Sequence, residues 1–162
     1  AEHYGLVVNA EVDERYDMEK STVAACKYFK DAYARFGNWT LAAASYNAGM
    51  GAIEGAVGYQ DENSYYDLYF REETSRYVFR ALAFKTIYQH TQEYGFFLTQ
   101  EDLYNPLEYT TVDVTTTIAN LAKFAKDHGT NYKQLKYYNP WLRSDMLTVK
   151  AGQKYTIKIP KA

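Results

Sequence analysis

Cysteine, proline and tryptophan are scarce in this chain, and each shortage removes a class of explanation. The one cysteine, Cys26, has no partner for an intrachain disulfide, and the absence of any C-x-x-C or Cys/His grouping removes a zinc motif. Cys26 reads as a buried thiol. His3, His90 and His128 stand too far apart for a local metal motif. No run of about 18 apolar residues occurs, the length a helix needs to cross a bilayer, and no charged-then-apolar signal peptide opens the sequence. Charge of one sign is missing too: 18 basic residues against 20 acidic ones leave a net −2, which excludes a nucleic-acid or anionic-membrane binder driven by bulk electrostatics. What the 162 residues do have is tyrosine, 18 of them against eight phenylalanines and two tryptophans. A tyrosine offers an apolar ring face and a hydroxyl together, which suits a sugar and equally suits a wet protein interface or half-buried helix packing.

The run Leu41 to Gly51 organises the first part of the chain. Its alanines predict a helix that packs closely on its neighbours, and Gly49 and Gly51 supply the backbone freedom to end it, so that Tyr46 and Asn47 lie at its C-terminal end. Before it, Asp17 is a candidate N-cap with Glu19 in the first turn, and apolar residues recur helically through Ala25/Cys26, Phe29, Ala32/Tyr33 and Phe36 until Gly37. Asn38 or Thr40 caps the next helix. Asp13, Glu14 and Arg15 are adjacent and so do not face one another; they read as a salt-bridge cluster at the start of the first helix. A short helix is expected over Ala52 to Val57, then a polar, tyrosine-rich connection to Tyr69. A long helix from about Glu72 to Tyr94 carries apolar residues on more than one side, the pattern of a broadly buried helix, and Gly95 can end it.

Residues 98–108, with Asn105-Pro106, read as a linker. Beyond it the pattern becomes strand, helix, helix, strand: Tyr109 to Val114 is short and β-branched, Thr115 or Thr116 caps a helix with Ile118, Leu121, Ala122 and Ala125 on one face, Gly129 ends it, Asn131 caps a second helix through Tyr138, and Thr148 to Ile159 closes as a strand or hairpin.

Three blocks in order carry a family resemblance. Tyr46-Asn47-Ala48-Gly49 resembles the A-Y-N-A-G motif of the lysozyme-like lytic transglycosylases (glycoside hydrolase family 23), with Ser45 in place of the usual Ala. Val12 to Asp17 and Phe36-Gly37-Asn38-Trp39 resemble the approach to that motif in the membrane-bound, D-type murein transglycosylases, and Glu73-Thr74-Ser75-Arg76-Tyr77-Val78 resembles their E-T-x-x-Y-V block. Residues 109–162, with the Asn139-Pro140-Trp141-Leu142 turn and the ending Ile157-Lys158-Ile159-Pro160, resemble a LysM module. The fold class expected is therefore mainly α: the C-terminal portion of a lysozyme-like domain over residues 1–97, then a small βααβ module over 109–162.

The resemblance also implies chemistry. The family cleaves the β-1,4 bond between N-acetylmuramic acid and N-acetylglucosamine with one glutamate as acid then base, forms a 1,6-anhydro product, and uses no metal or cofactor. That glutamate sits in a Glu-Ser motif followed by Gly-Leu-(Met/Trp)-Gln, and neither occurs among these 162 residues. The expectation is of a fragment whose acid lies upstream, with no catalytic acid of its own and no activity alone. Tyr77 would support that acid, Tyr46, Asn47 and Glu73 would line the substrate groove, and Thr115, Thr116, Asn139 and Trp141 would lie on the two glycan loops of the LysM-like module. The first of those loops lacks the usual Gly-Asp-Thr, and a module that only packs is the other reading. Without the resemblance, Asn47 is a helix cap, Tyr46 a core residue and Tyr77 a packing residue. The implied partner is the peptidoglycan glycan strand in the periplasm or cell envelope, with a lipid anchor on an upstream N-terminus. A non-catalytic glycan-binding protein and a helical protein-interaction module are the alternatives.

Overall fold

The computed structural model describes residues 1–161, which form two compact units: Ala25–Tyr104, and Ala1–Ala24 together with the chain from Asn105 onward. The division falls within α1 (Met18–Phe36), which Asp17 caps by accepting from the backbone N–H groups of Glu19 and Lys20.

In the helical unit, Gly37 at φ 72° turns the chain out of α1, and Asn38 caps α2 (Trp39–Ala48) by accepting from the Leu41 N–H at 2.8 Å. Leu41, Ala42, Ala44 and Ser45 are buried; small side chains let α2 pack closely. Gly49, at φ 87°, ends the helix with its N–H on the Ser45 carbonyl, and α3 (Met50–Gln60) starts at once. Gly51 is therefore inside a helix and not a second stop, because one left-handed residue is enough to redirect the chain. The connection from 61 to 71 is tied by an amide pairing, with the Gln60 side chain both donating to the Tyr69 carbonyl and accepting from its N–H. It also feeds the core: Tyr65 and Leu68 are buried with Leu41, Ile53 and Val78, and the Tyr65 hydroxyl reaches the carbonyls of Thr74 and Ser75, each at 2.7 Å.

The expected broad burial of the long helix does not hold. In α4 (Glu72–Gln89) only Thr74 and Val78 are buried, while Phe79, Leu82, Phe84 and Tyr88 are exposed. Apolar residues on several sides of a helix record its appetite for partners, and only its first two turns meet one in this unit. Cys26, expected to be buried, is exposed.

In the other unit, β1 (Tyr109–Val114) and β2 (Tyr155–Pro160) pair antiparallel, Tyr109 opposite Pro160 and Val114 opposite Tyr155, with α5 (Leu121–Asp127) and α6 (Tyr132–Tyr138) between them in sequence. The cap of α5 is Asn120, not Thr115 or Thr116. Ile118 exchanges both backbone bonds with Leu147, which keeps residues 115–120 out of the helix. The closing strand is shorter than expected, since the segment before it turns at Lys150–Gln153 with Gly152 at φ 81°. Leu121, Leu135, Leu142, Leu147 and Ile157 are fully buried together.

Val12 joins that core, 1% exposed, because the N-terminal segment pairs with the loop after α6. Asp13 donates its N–H to the Trp141 carbonyl, Arg143 donates to the Glu11 carbonyl, and the Glu11 carboxylate accepts from the N–H and hydroxyl of Thr148. Residues 1–24 thus group in space with the C-terminal module. Asp13 and Glu14 form the expected salt-bridge cluster: Asp13 pairs with Arg15 at 2.6 Å and Glu14 with Lys20, while Glu14 also accepts from the Val7 N–H.

Candidate functional site

Two of the residues singled out from the sequence, Asn47 and Glu73, meet where the end of α2 faces the start of α4. Asn47, in the last turn of α2, donates from Nδ2 to Glu73 Oε1 at 3.3 Å and accepts at Oδ1 from the Thr74 hydroxyl at 2.9 Å. The cap reading of Asn47 therefore fails: its amide is spent across helices, not on its own backbone. One Nδ2 hydrogen and one Oδ1 lone pair remain for a ligand.

Tyr77 follows Glu73 by four positions and Thr74 by three, so it projects from the same side of α4 one turn on. Burial, and after it the nearness of Tyr46, pushes its hydroxyl above the usual phenol range. It is a protonated donor throughout the neutral range. Tyr46 is about half exposed; its ring stacks on Phe29 at 4.9 Å and meets Tyr28 edge-on at 5.4 Å. One side of its ring is held and the other is open, so Tyr46 is not a core residue. Thr74 is the member that sequence reasoning passed over, although it lay inside the E-T-x-x-Y-V block; its buried hydroxyl fixes which way the Asn47 amide points.

Glu73 is exposed and lacks the desolvated surroundings that a glycosidic proton donor needs. Among the described residues the two buried carboxylates lie in the other unit and are fully engaged, Glu14 by Lys20 and Val7, Asp13 by Arg15, whose guanidinium holds the Asp13 carboxyl below its usual range. Among the described residues no group of His, Cys, Asp or Glu side chains is placed to hold a metal ion, and no helix is long and apolar enough to cross a membrane.

The proposed glycan loops of the smaller module fare unequally. Thr115 and Thr116 are exposed. Asn139 is fully buried, its amide donating to the carbonyls of Leu135 and Lys158 and accepting from the Lys158 N–H. Every strong hydrogen-bonding direction of Asn139 but one is used within the protein, so it anchors α6 to β2 and is corrected from ligand contact to structural clamp. Trp141, 3% exposed and stacked on Tyr155 at 5.7 Å, is likewise mostly interior.

Residues 1–69 match the family model described as the transglycosylase SLT domain, and residues 110–162 match that of the soluble lytic transglycosylase C-terminal LysM-like domain. Membrane-bound lytic murein transglycosylase D of Escherichia coli K12 and that of Escherichia coli O6:H1 are each 27% identical over 164 residues, covering 98% of this chain and 35% of the relative. The chain thus spans about a third of the length of the curated relatives it matches. The chain therefore carries an SLT transglycosylase domain and a LysM-like C-terminal domain and shares homology with membrane-bound lytic murein transglycosylase D.

Proposed function

We propose that the Asn47, Glu73, Thr74 and Tyr77 cluster is the glycan-holding part of a peptidoglycan lytic transglycosylase site whose acid is supplied by a Glu-Ser segment outside these 162 residues. The observation that carries this reading is the bonding of Asn47 across two helices, which leaves a half-satisfied amide beside the exposed Glu73 carboxylate. Asn47 would hold an acetamido or hydroxyl group, Tyr46 would wall the groove, Glu73 would accept a sugar hydroxyl, and the Tyr77 hydroxyl would position the acid.

The reaction balances without water. A carboxylic acid protonates the glycosidic oxygen, the N-acetylglucosamine leaves with that proton as its new hydroxyl, and the 6-hydroxyl of the N-acetylmuramic acid bonds to the anomeric carbon. The carboxylate removes the proton from that hydroxyl and is an acid again. The 1,6-anhydro ring is the product. Location in the envelope on the periplasmic side, with or without a lipid anchor, belongs to the same proposal. Its test is digestion of purified sacculi by the full-length protein, followed by mass spectrometry: anhydro-ended muropeptides are expected, and reducing-ended products carrying an added water would overturn it.

A further inference from the structure

We propose that the unit containing the C-terminal module binds the zwitterionic head of an amino acid, an ammonium and a carboxylate on one carbon. The site is a hollow between the turn at residues 9–12 and the turn that leads into β2. Its volume is about 320 Å³, at the small end of the roughly 300–1,000 Å³ typical of small-molecule sites. Asn9 and Glu11 line it from the N-terminal segment, and Thr148, Lys150, Gln153 and Tyr155 from the other side. Thr115, Thr116, Asn139 and Trp141 take no part in the lining.

The walls hold hydrogen-bond donors that the fold leaves over. Asn9 Oδ1 accepts from the Glu11 and Val12 N–H groups, each at 2.9 Å, and Gln153 Oε1 accepts from the Lys150 N–H at 3.1 Å. Both amides are thus fixed through their oxygens, and both NH2 groups stay free. Lys150 is exposed, and its ammonium has no ion-pair partner among the described residues. Tyr155 is only 6% exposed, yet its hydroxyl meets no protein partner among them. Because no side-chain polar atom of the described residues is both sealed off and unpaired, that hydroxyl must reach solvent, and Tyr155 lines the hollow. The charged acceptor is Glu11. Its carboxylate takes the Thr148 N–H at 2.6 Å and the Thr148 hydroxyl at 3.0 Å, one on each oxygen, which fixes it and leaves a lone pair on each.

This pairing of charges selects the ligand. An isolated anion drawn to Lys150 is opposed by Glu11, and an isolated cation is opposed by Lys150, whereas a zwitterion sets each end against its complement. The carboxylate takes the free amide groups, the Tyr155 hydroxyl and Lys150; the ammonium takes the remaining lone pairs of Glu11. A pyranose finds no open aromatic face here, since Tyr155, the one ring in the lining, is buried and stacked on Trp141 at 5.7 Å. Such a head occurs on free amino acids and on the uncrosslinked diamino acid of a peptidoglycan peptide. The second source rests on the function proposed above, and the location of the site does not.

Calorimetric titration of the full-length protein tests this with meso-2,6-diaminopimelate, free and as the last residue of a peptidoglycan stem tripeptide. Binding is expected, and pimelate and cadaverine, which lack the ammonium and carboxylate groups respectively, should bind at least about tenfold more weakly, the loss of charge-assisted hydrogen bonds. Tighter binding of the free acid assigns the site to a free amino acid, and tighter binding of the tripeptide to the cell-wall peptide. Lys150→Met removes a charge that has no protein partner, so it is expected to leave the melting temperature unaltered and to weaken binding by about tenfold or more. Glu11→Gln should erase the preference for diaminopimelate over pimelate. No heat with either form, pimelate bound as tightly as diaminopimelate by the parent protein, or an affinity that ignores Lys150→Met would each overturn the site. Sacculus digestion by the same samples keeps the two proposals apart: anhydro products without diaminopimelate binding sink this inference alone, and binding that Lys150→Met weakens, in a protein that releases no anhydro products, sinks the other.

Discussion

Thr74 illustrates how much a single hydroxyl decides. Its Oγ1 donates to Asn47 Oδ1 and thereby assigns the amide's other face, Nδ2, to Glu73 and whatever binds beside it. Thr74→Val keeps the shape and removes the donor. A several-fold rise in KM with a small change in kcat is expected, and rescue by Thr74→Ser; a variant that loses stability and keeps its KM would mark Thr74 as packing only. Asn139 is the structural counterpart, since its amide serves three backbone groups in the core of the other unit. Asn139→Ala leaves buried donors and acceptors unpaired, so a loss on the order of 3 kcal/mol in denaturant unfolding is expected. Asn47 and Tyr77 stand out in the sequence through motif spacing alone. The sequence could not mark the fate of Asn139 or Trp141, since the same Asn-Pro-Trp turn reads alike whether it faces a sugar or a core.

Among the elements, those with local signals were legible. Caps at Asp17, Asn38 and Asn131 and strand β1 follow from residues that act on their own backbone neighbourhood. Those set by distant partners were not. Residues 115–120 stay extended because Leu147 pairs with Ile118, and the burial of α4 depends on what covers it, which periodicity alone does not encode. The segment Val7 to Asp13 is the clearest case, short and turn-like in sequence yet paired with Leu142 in space. Val12→Ala is expected to cost on the order of 2 kcal/mol through lost burial and a residual cavity. An unfolding midpoint equal to that of the parent would show that the Val12 to Leu142 bridge is dispensable.

At the scale of the molecule, the unit holding the C-terminal module is not made of the module alone. Residues 105–162 expressed without Ala1–Ala24 lose Val12 and the Glu11 bonds to Thr148, and a melting temperature roughly 10 °C below that of the longer chain is expected. The same unit is acid-sensitive. Asp13, Glu19 and Asp113 are held below their ordinary values of 3.8, 4.5 and 3.8, chiefly by hydrogen bonds from Arg15, Lys158 and Lys154 respectively. The unfolded chain then takes up protons at higher pH than the folded one, so these pairs contribute fully above the ordinary values and their contribution disappears as pH falls through the lowered ones. Denaturant midpoints should hold steady down to those ordinary values and drop below them, with high salt making the drop shallower through the exposed Glu19 and Asp113 pairs. The claim on which the whole account turns is that α2 and α4 together present a glycan-holding amide, and the direct measurement is the rate at which full-length Asn47→Ala releases anhydro-muropeptides from sacculi. A fall of at least about tenfold, the loss of a buried-quality hydrogen bond to the substrate, with an unchanged melting temperature is the expected result; a rate equal to that of the parent protein would contradict it.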